Sequence, residues 1–208
     1  MMLVSVAAET EDLLGKMFTF PEDSSSAHVK LLMSYRNFSA LTVCHRSFTD
    51  LTRSHAFFSL FTSSAEDFFL VHYHGKTQQM MVHIGNTSVG YSGLDYAPNK
   101  WHSLCTTWDS SSGLVQLWFN GQRLSKKYIF ETIIRSSIFI LGQGEARDGR
   151  ESFTGMMSDF QVWDYALSLC EIQRYNSNPS DTSGNVIDWR ELDFEIIGRV
   201  LVEFTNAC

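Results

Sequence analysis

The chain has 208 residues, of which 44% are hydrophobic, 13% aromatic and 19% charged. A disordered chain is thereby excluded, and one domain is favoured because all-β sandwiches reach this size as single units. Sixteen basic against 23 acidic residues give a net charge of −7 with no basic run longer than Lys126-Lys127, which excludes the electrostatic footprint of a nucleic-acid binder and favours cations as partners.

Met1–Ala8 is apolar, ends in small residues and lacks a basic flank. It reads equally as the remnant of a secretory signal peptide or as an N-terminal tail, with residues 9–208 forming one domain. No run of 18 apolar residues follows, so no transmembrane segment is expected. From about Phe18, short runs rich in Val, Ile, Phe, Tyr and Thr recur between turn signals, the rhythm of an all-β sandwich or barrel.

Ser39–Arg46 alternates so that Leu41, Val43 and His45 face inward while Cys44 points with Thr42 and Arg46. Ala56–Phe61 and Phe68–Tyr73 are nearly continuous apolar runs, as strands covered on both faces require. His72, His74 and His83 suggest zinc, but no acid or thiol stands nearby at ligand spacing, so a polar strand face is the favoured reading. Leu114–Phe119 followed by Asn120-Gly121 predicts a tight hairpin, with the return strand starting near Gln122. Tyr128–Leu141 reads as strand with a Ser-Ser break, and Gly142–Ser152 as an acidic glycine-bearing loop.

One short helix is expected near 168–176: Ser168 caps it, Glu171 completes a capping box, and Leu169, Ile172 and Tyr175 share its buried face. Asn176–Asn185 is a polar turn, and strand-like alternation returns over Val186–Phe204. Within it, Glu191-Leu-Asp-Phe-Glu195 resembles the catalytic strand of retaining β-glucanases. Period-two alternation would bring Glu191, Asp193 and Glu195 to one face, and paired carboxylates about 5 Å apart are what such enzymes use. A solvent-facing acidic row is the favoured reading of that triplet. No nucleophile elbow or phosphate-binding loop occurs.

The four cysteines, Cys44, Cys105, Cys170 and Cys208, contain no Cys-x-x-Cys pair, and two disulfides in an extracellular protein fit them best. Sequons at Asn37 and Asn86 agree with secretion and glycosylation there.

The segment Trp101–Gly113 resembles the pentraxin signature of His, any residue, Cys, any residue, Ser or Thr, Trp, any residue, Ser: Cys105, Thr107, Trp108 and Ser110 match. The signature histidine would fall at Ser103, and this chain has His102 instead. Phe18–Pro21, Val43-Cys44, Leu141–Gln143, Val162–Asp164 and Asp188–Arg190 are further landmarks of that family, so the resemblance covers about residues 16–204.

It implies a short pentraxin: a secreted, extracellular, non-catalytic protein of innate immunity, folded as a lectin-like two-sheet antiparallel jelly-roll sandwich. Such proteins form cyclic homo-oligomers, a pentamer by family habit or here a smaller ring, with one face for calcium-dependent ligands and the other for complement or receptor proteins. The resemblance further implies a Cys44–Cys105 disulfide. Cys170 and Cys208 are expected to pair, a free thiol or an intersubunit bridge being the alternatives.

It also places calcium on Glu66, Asp67, Glu145, Asp148 and Glu151, oxygen ligands of the kind calcium requires. Because the second acidic stretch is shorter here, one ion is expected where the family has two. The residues that hold phosphocholine in the family fall near His72, Val82 and Thr87. None is a carboxylate, so phosphate-bearing or carbohydrate ligands are expected without a counter-charge for choline. A laminin-G-like adhesion module is the runner-up.

Overall fold

The computed structural model describes residues 10–61, 67–131, 133–146 and 149–205. Its elements are β1 (Lys16–Phe20), β2 (His28–Phe38), β3 (Ala40–Thr49), β4 (His55–Phe61), β5 (Asp67–His74), β6 (Gln79–Ile84), β7 (Thr87–Tyr91), β8 (Lys100–Asp109), β9 (Leu114–Phe119), β10 (Gln122–Arg123), β11 (Lys127–Tyr128), β12 (Ile134–Leu141), β13 (Gln143–Ala146), β14 (Gly149–Ser152), β15 (Gly155–Trp163), α1 (Leu169–Ser177), β16 (Phe194–Ile197) and β17 (Leu201–Phe204). One sheet runs β10-β9-β8-β3-β15-β1-β17 with β11 also on β9, the other β16-β2-β12-β4-β5-β6-β7, and β13 pairs with β14 alone. Neighbours are antiparallel. The expected two-sheet jelly-roll sandwich with one short helix is therefore what forms.

Alternation along the strands builds two cores. Leu41, Val43 and His45 of β3 point between the sheets, where the Phe58, Phe69, Phe139 and Phe160 rings meet. Cys44 points the other way and is bonded to Cys105, its direct partner across β3 and β8. With Trp118, Trp163, Leu167, Ile172 and Tyr175 the two sulfurs form a smaller core beneath α1. Asn120 and Gly121, both at positive φ, make the tight turn between β9 and β10, which starts at Gln122.

At the head of α1 the Ser168 Oγ accepts from the Glu171 amide at 3.4 Å while the Glu171 carboxylate accepts from the Ser168 amide at 2.7 Å. Ile172 and Tyr175 are buried as expected, but Leu169 is 44% exposed. Leu167, just ahead of the cap, fills the apolar position and leaves the first helical residue overhanging the sheet. Replacing the cap, Ser168→Ala, is expected to cost about 1 kcal/mol in urea unfolding.

Three further expectations are corrected. Gly142–Ser152 is mostly a two-stranded hairpin rather than a loop. Strand does not run from Tyr128 to Leu141: β11 ends at Tyr128, β12 starts at Ile134, and the Ser-Ser break is a register shift between Ser136 and Ile138. Glu191 lies in a turn and strand begins only at Phe194, because Leu192 is buried and bridged to Glu11 across the sandwich edge. Glu195 meanwhile pairs with Lys30 at 3.2 Å, so the three carboxylates do not share one strand. Cys170 is exposed on the outer side of α1, and Cys208, its expected partner, lies outside the described residues.

Candidate functional site

The β13–β14 hairpin lies across the outer face of β4 and β5. A glycine makes this crossing possible. Gly142 takes φ +80°, and a Cβ there would stand 2.5 Å from the Phe20 ring, so the chain can turn off β12 only at a residue without a side chain. Gln143 then anchors the hairpin: its side-chain amide donates to the Ser24 and Ala27 carbonyls at 2.6 and 3.1 Å, and its carbonyl accepts from the Ser59 hydroxyl at 3.1 Å. Gly144 pairs with Glu151 and Glu145 with Arg150, which brings two of the three predicted calcium-binding glutamates onto one hairpin.

Alternation along β5 sends Val71 and Tyr73 into the core and leaves His72 and His74 on the outer face. On β6 the same rule turns Met80, Val82 and Ile84 inward and His83 outward. The His72 ring, only 2% exposed, donates from Nδ1 to the Glu151 Oε2 at 2.5 Å, and Glu151 is itself 6% exposed. On its other side His72 Nε2 stands 2.8 Å from His83 Nε2. His74 lies next to them, its ring centroid 6.3 Å from that of His72 and its Nδ1 2.7 Å from the Thr77 hydroxyl. An acid does stand beside the histidines after all. It comes from a strand 79 positions away, which no local spacing reveals.

Next to this cluster opens a cavity of about 710 Å³ lined by Asp23, Arg53, His74, Lys76, Glu151 and Ser152 among others. Arg53 stiffens its wall, donating to the Ser152 carbonyl at 2.8 Å and pairing with Asp23 at 3.0 Å. The Ser152 hydroxyl donates to Asp23. Behind the wall, His55 donates from Nδ1 to the Arg53 carbonyl at 2.8 Å and accepts at Nε2 from the Tyr96 hydroxyl at 2.9 Å. Burial lowers the His55 pKa to about 4, so this imidazole is neutral at physiological pH. Fixed charges of both signs around an open concavity suit the capture of a polar or charged ligand.

The predicted site residues are distributed as follows. Of the calcium set, Glu66 and Asp148 lie outside the described residues, Asp67 opens β5 and Glu145 lies in β13, and Glu151 is held by His72. Among the described residues no group of three His, Cys, Asp or Glu side chains encloses a metal-sized position. Of the ligand set, His72 faces the hairpin and Thr87 is exposed at the start of β7, whereas Val82 is in the core and cannot touch a ligand. The outward register on β6 belongs to Met81 and His83. Asn37 and Asn86 are both exposed, as attachment of a glycan requires. His102, one place from the signature position, is buried, donating from Nε2 to the Ala97 carbonyl at 2.9 Å and accepting at Nδ1 from Asn120 at 3.1 Å. Among the described residues no helix is long and apolar enough to cross a membrane.

Comparison with known proteins gives a match to the Pentaxin family over residues 16–204. The serum amyloid P-component of Rattus norvegicus is 35% identical over 216 residues, covering 97% of this chain and 90% of that protein. The C-reactive protein of Xenopus laevis is 34% identical, covering 95% of this chain and 87% of that protein. Among solved structures, the native heptameric SAP-like pentraxin from Limulus polyphemus superposes with a TM-score of 0.81 at 22% identity, over 93% of this chain and 96% of that one.

Proposed function

The chain belongs to the pentraxin family, and on that premise we propose that it is a secreted, non-catalytic recognition protein of innate immunity that binds phosphate-bearing or carbohydrate ligands through calcium on one face of a cyclic homo-oligomer. The observation that carries this reading is the placement of the β13–β14 hairpin on β4 and β5. It lays the stretch bearing Glu145 and Glu151 over the strand that opens at Asp67. Carboxylates gathered from two separate stretches are the donor set that a hard, oxygen-seeking cation requires.

Glu66, Asp67, Glu145, Asp148 and Glu151 would hold the ion. Glu151 would do so with one oxygen already hydrogen-bonded by His72, as ligating carboxylates commonly are. When bound, calcium supplies positive charge against which a phosphate or sugar hydroxyl is attracted. Thr87 and His72 lie on the strands beside it, and the missing counter-charge for choline makes phosphate the group recognised. Ring assembly turns such small contacts into avidity. A family match spanning the whole domain supports this reading over a laminin-G-like module.

Calorimetric titration with calcium chloride tests the metal. Heat of binding is expected, with affinity falling about tenfold or more in Glu145→Gln as one carboxylate is lost. An absence of heat, beside a calcium-binding pentraxin that gives it under the same conditions, would overturn the calcium reading. Light-scattering mass with and without calcium tests the ring. A single-chain mass in both buffers would refute it.

A further inference from the structure

We propose that the cleft between the β7–β8 loop and the β9–β10 turn is a calcium-independent binding site for an uncharged sugar, with Trp101 as its stacking platform. The departure from the pentraxin signature leads to it. A histidine at position 103 would lie on the outer face of its sheet with Cys105, whereas His102 takes the opposite register and is buried with Leu104. There its Nε2 donates to the Ala97 carbonyl at 2.9 Å and its Nδ1 accepts from the Asn120 side-chain amide at 3.1 Å. One imidazole therefore ties the 92–99 loop to the hairpin tip. The Asn120 Oδ1 accepts from the Ser103 amide at 2.8 Å, and the His102 ring stacks on Phe119 at a centroid distance of 5.0 Å. Tyr96, its ring 4.9 Å from His102 and its hydroxyl bonded to His55, fixes the loop from within.

The cleft bounded by these contacts has a volume of about 530 Å³ and is lined by Ser92, Asp95, Lys100, Trp101, Asn120 and Gln122 among others. That lies within the range of small-molecule sites, about 300–1,000 Å³. Its polar rim is uncommitted: Asp95, Lys100 and Gln122 are exposed, and among the described residues their side chains make no hydrogen bond or ion pair. Trp101 is half-buried, held from the β3 side by the Phe48 ring and the Arg46 guanidinium, both 5.8 Å from its ring centroid. The chemistry selects the ligand. One carboxylate and one ammonium offset each other, so neither an anion nor a cation gains a net attraction. The indole offers a flat apolar face, and carboxylate, amide and ammonium supply hydrogen-bond acceptors and donors around it. A pyranose has the matching form: a face of C–H bonds that lies on an aromatic ring, and a girdle of hydroxyls that each donate and accept.

This cleft shares no residue with the proposed calcium site, so it is tested with EDTA present, where failure of the calcium reading leaves it standing. Saturation-transfer-difference NMR of the full chain is run with the methyl glycosides of glucose, galactose, mannose and N-acetylglucosamine. At least one of the four is expected to receive saturation at its ring C–H protons and to give a titratable affinity. Trp101→Ala is expected to weaken that affinity at least about fivefold, with Trp101→Phe recovering part of the loss. Gln122→Ala, at an exposed side chain outside the core, is expected to weaken it about threefold. Tyr35→Ala removes an aromatic ring that is 60% exposed on the other sheet and is expected to change nothing. Saturation of none of the four glycosides, an unchanged affinity in Trp101→Ala or in Gln122→Ala, or an equal loss in Tyr35→Ala would each overturn the assignment. The unmodified protein and Gln122→Ala decide the matter even if Trp101→Ala misfolds.

Discussion

Replacing both bridge cysteines, Cys44→Ala with Cys105→Ala, is expected to lower the unfolding free energy by about 4 kcal/mol in guanidinium titrations at fixed protein concentration. The bridge closes a loop of 61 residues of sequence separation. In the chain-entropy account that loop length removes about 4 kcal/mol of freedom from the unfolded chain. The two strands it joins are already neighbours in the sheet, with Cys44 directly opposite Cys105, so the native state needs little adjustment to hold it. The sulfurs also fill the small core under α1 against Trp118 and Trp163, and their removal leaves a void there that adds to the loss. A change below about 1 kcal/mol would show that the reduced unfolded chain is already compact around this loop.

What could be read from the sequence was whatever is written in local pattern. The Leu41, Val43, His45 alternation gave the inward face of β3, Asn120-Gly121 the hairpin, and Ser168 with Glu171 the helix start, because each depends on neighbours within a few residues. The resemblance of the Cys105–Ser110 segment supplied the Cys44 pairing, which spacing alone leaves open.

The parts that escaped were set by contacts distant in sequence. Gly142–Ser152 looks like a loop because glycine, aspartate and arginine are poor strand formers, and it becomes a hairpin by lying on β4 and β5. The pairing of His72 with Glu151 follows from that same docking. The resemblance puts Val82 near the ligand pocket while the strand turns it inward, because one residue of slip in matching a strand moves a side chain from pocket to core. Leu169 fell outside the helix core since helical spacing says which residues share a face, not where the sheet beneath that face ends.

His45 sets the acid limit of the fold, and His45→Leu is expected to widen it. The ring is fully buried among Phe57, Phe58 and Phe160, at centroid distances of 5.2, 5.7 and 6.4 Å, and neither nitrogen has a hydrogen-bond partner. Burial pushes its pKa down from 6.5 to about 3, because a charged imidazole there would have no water and no counter-ion. The unfolded chain takes up the proton near pH 6.5 and the folded chain does not. Stability is therefore whole above pH 6.5 and is drained as the pH falls from there toward 3, at up to about 1.4 kcal/mol per pH unit. Between pH 7 and 5 the loss is about 2 kcal/mol. Leucine has nearly the same volume and nothing to protonate, so urea unfolding should show the variant gaining about 2 kcal/mol on the parent over that interval. It should also be the more stable at pH 7 by about 1–3 kcal/mol, since two unsatisfied polar atoms leave the core. His55, also buried and lowered to about 4, adds its own acid-dependent loss to both proteins, so the variant's curve will flatten without becoming level. Parallel curves for the two proteins from pH 7 to 5 would mean that His45 is charged in the folded state and that its surroundings admit water.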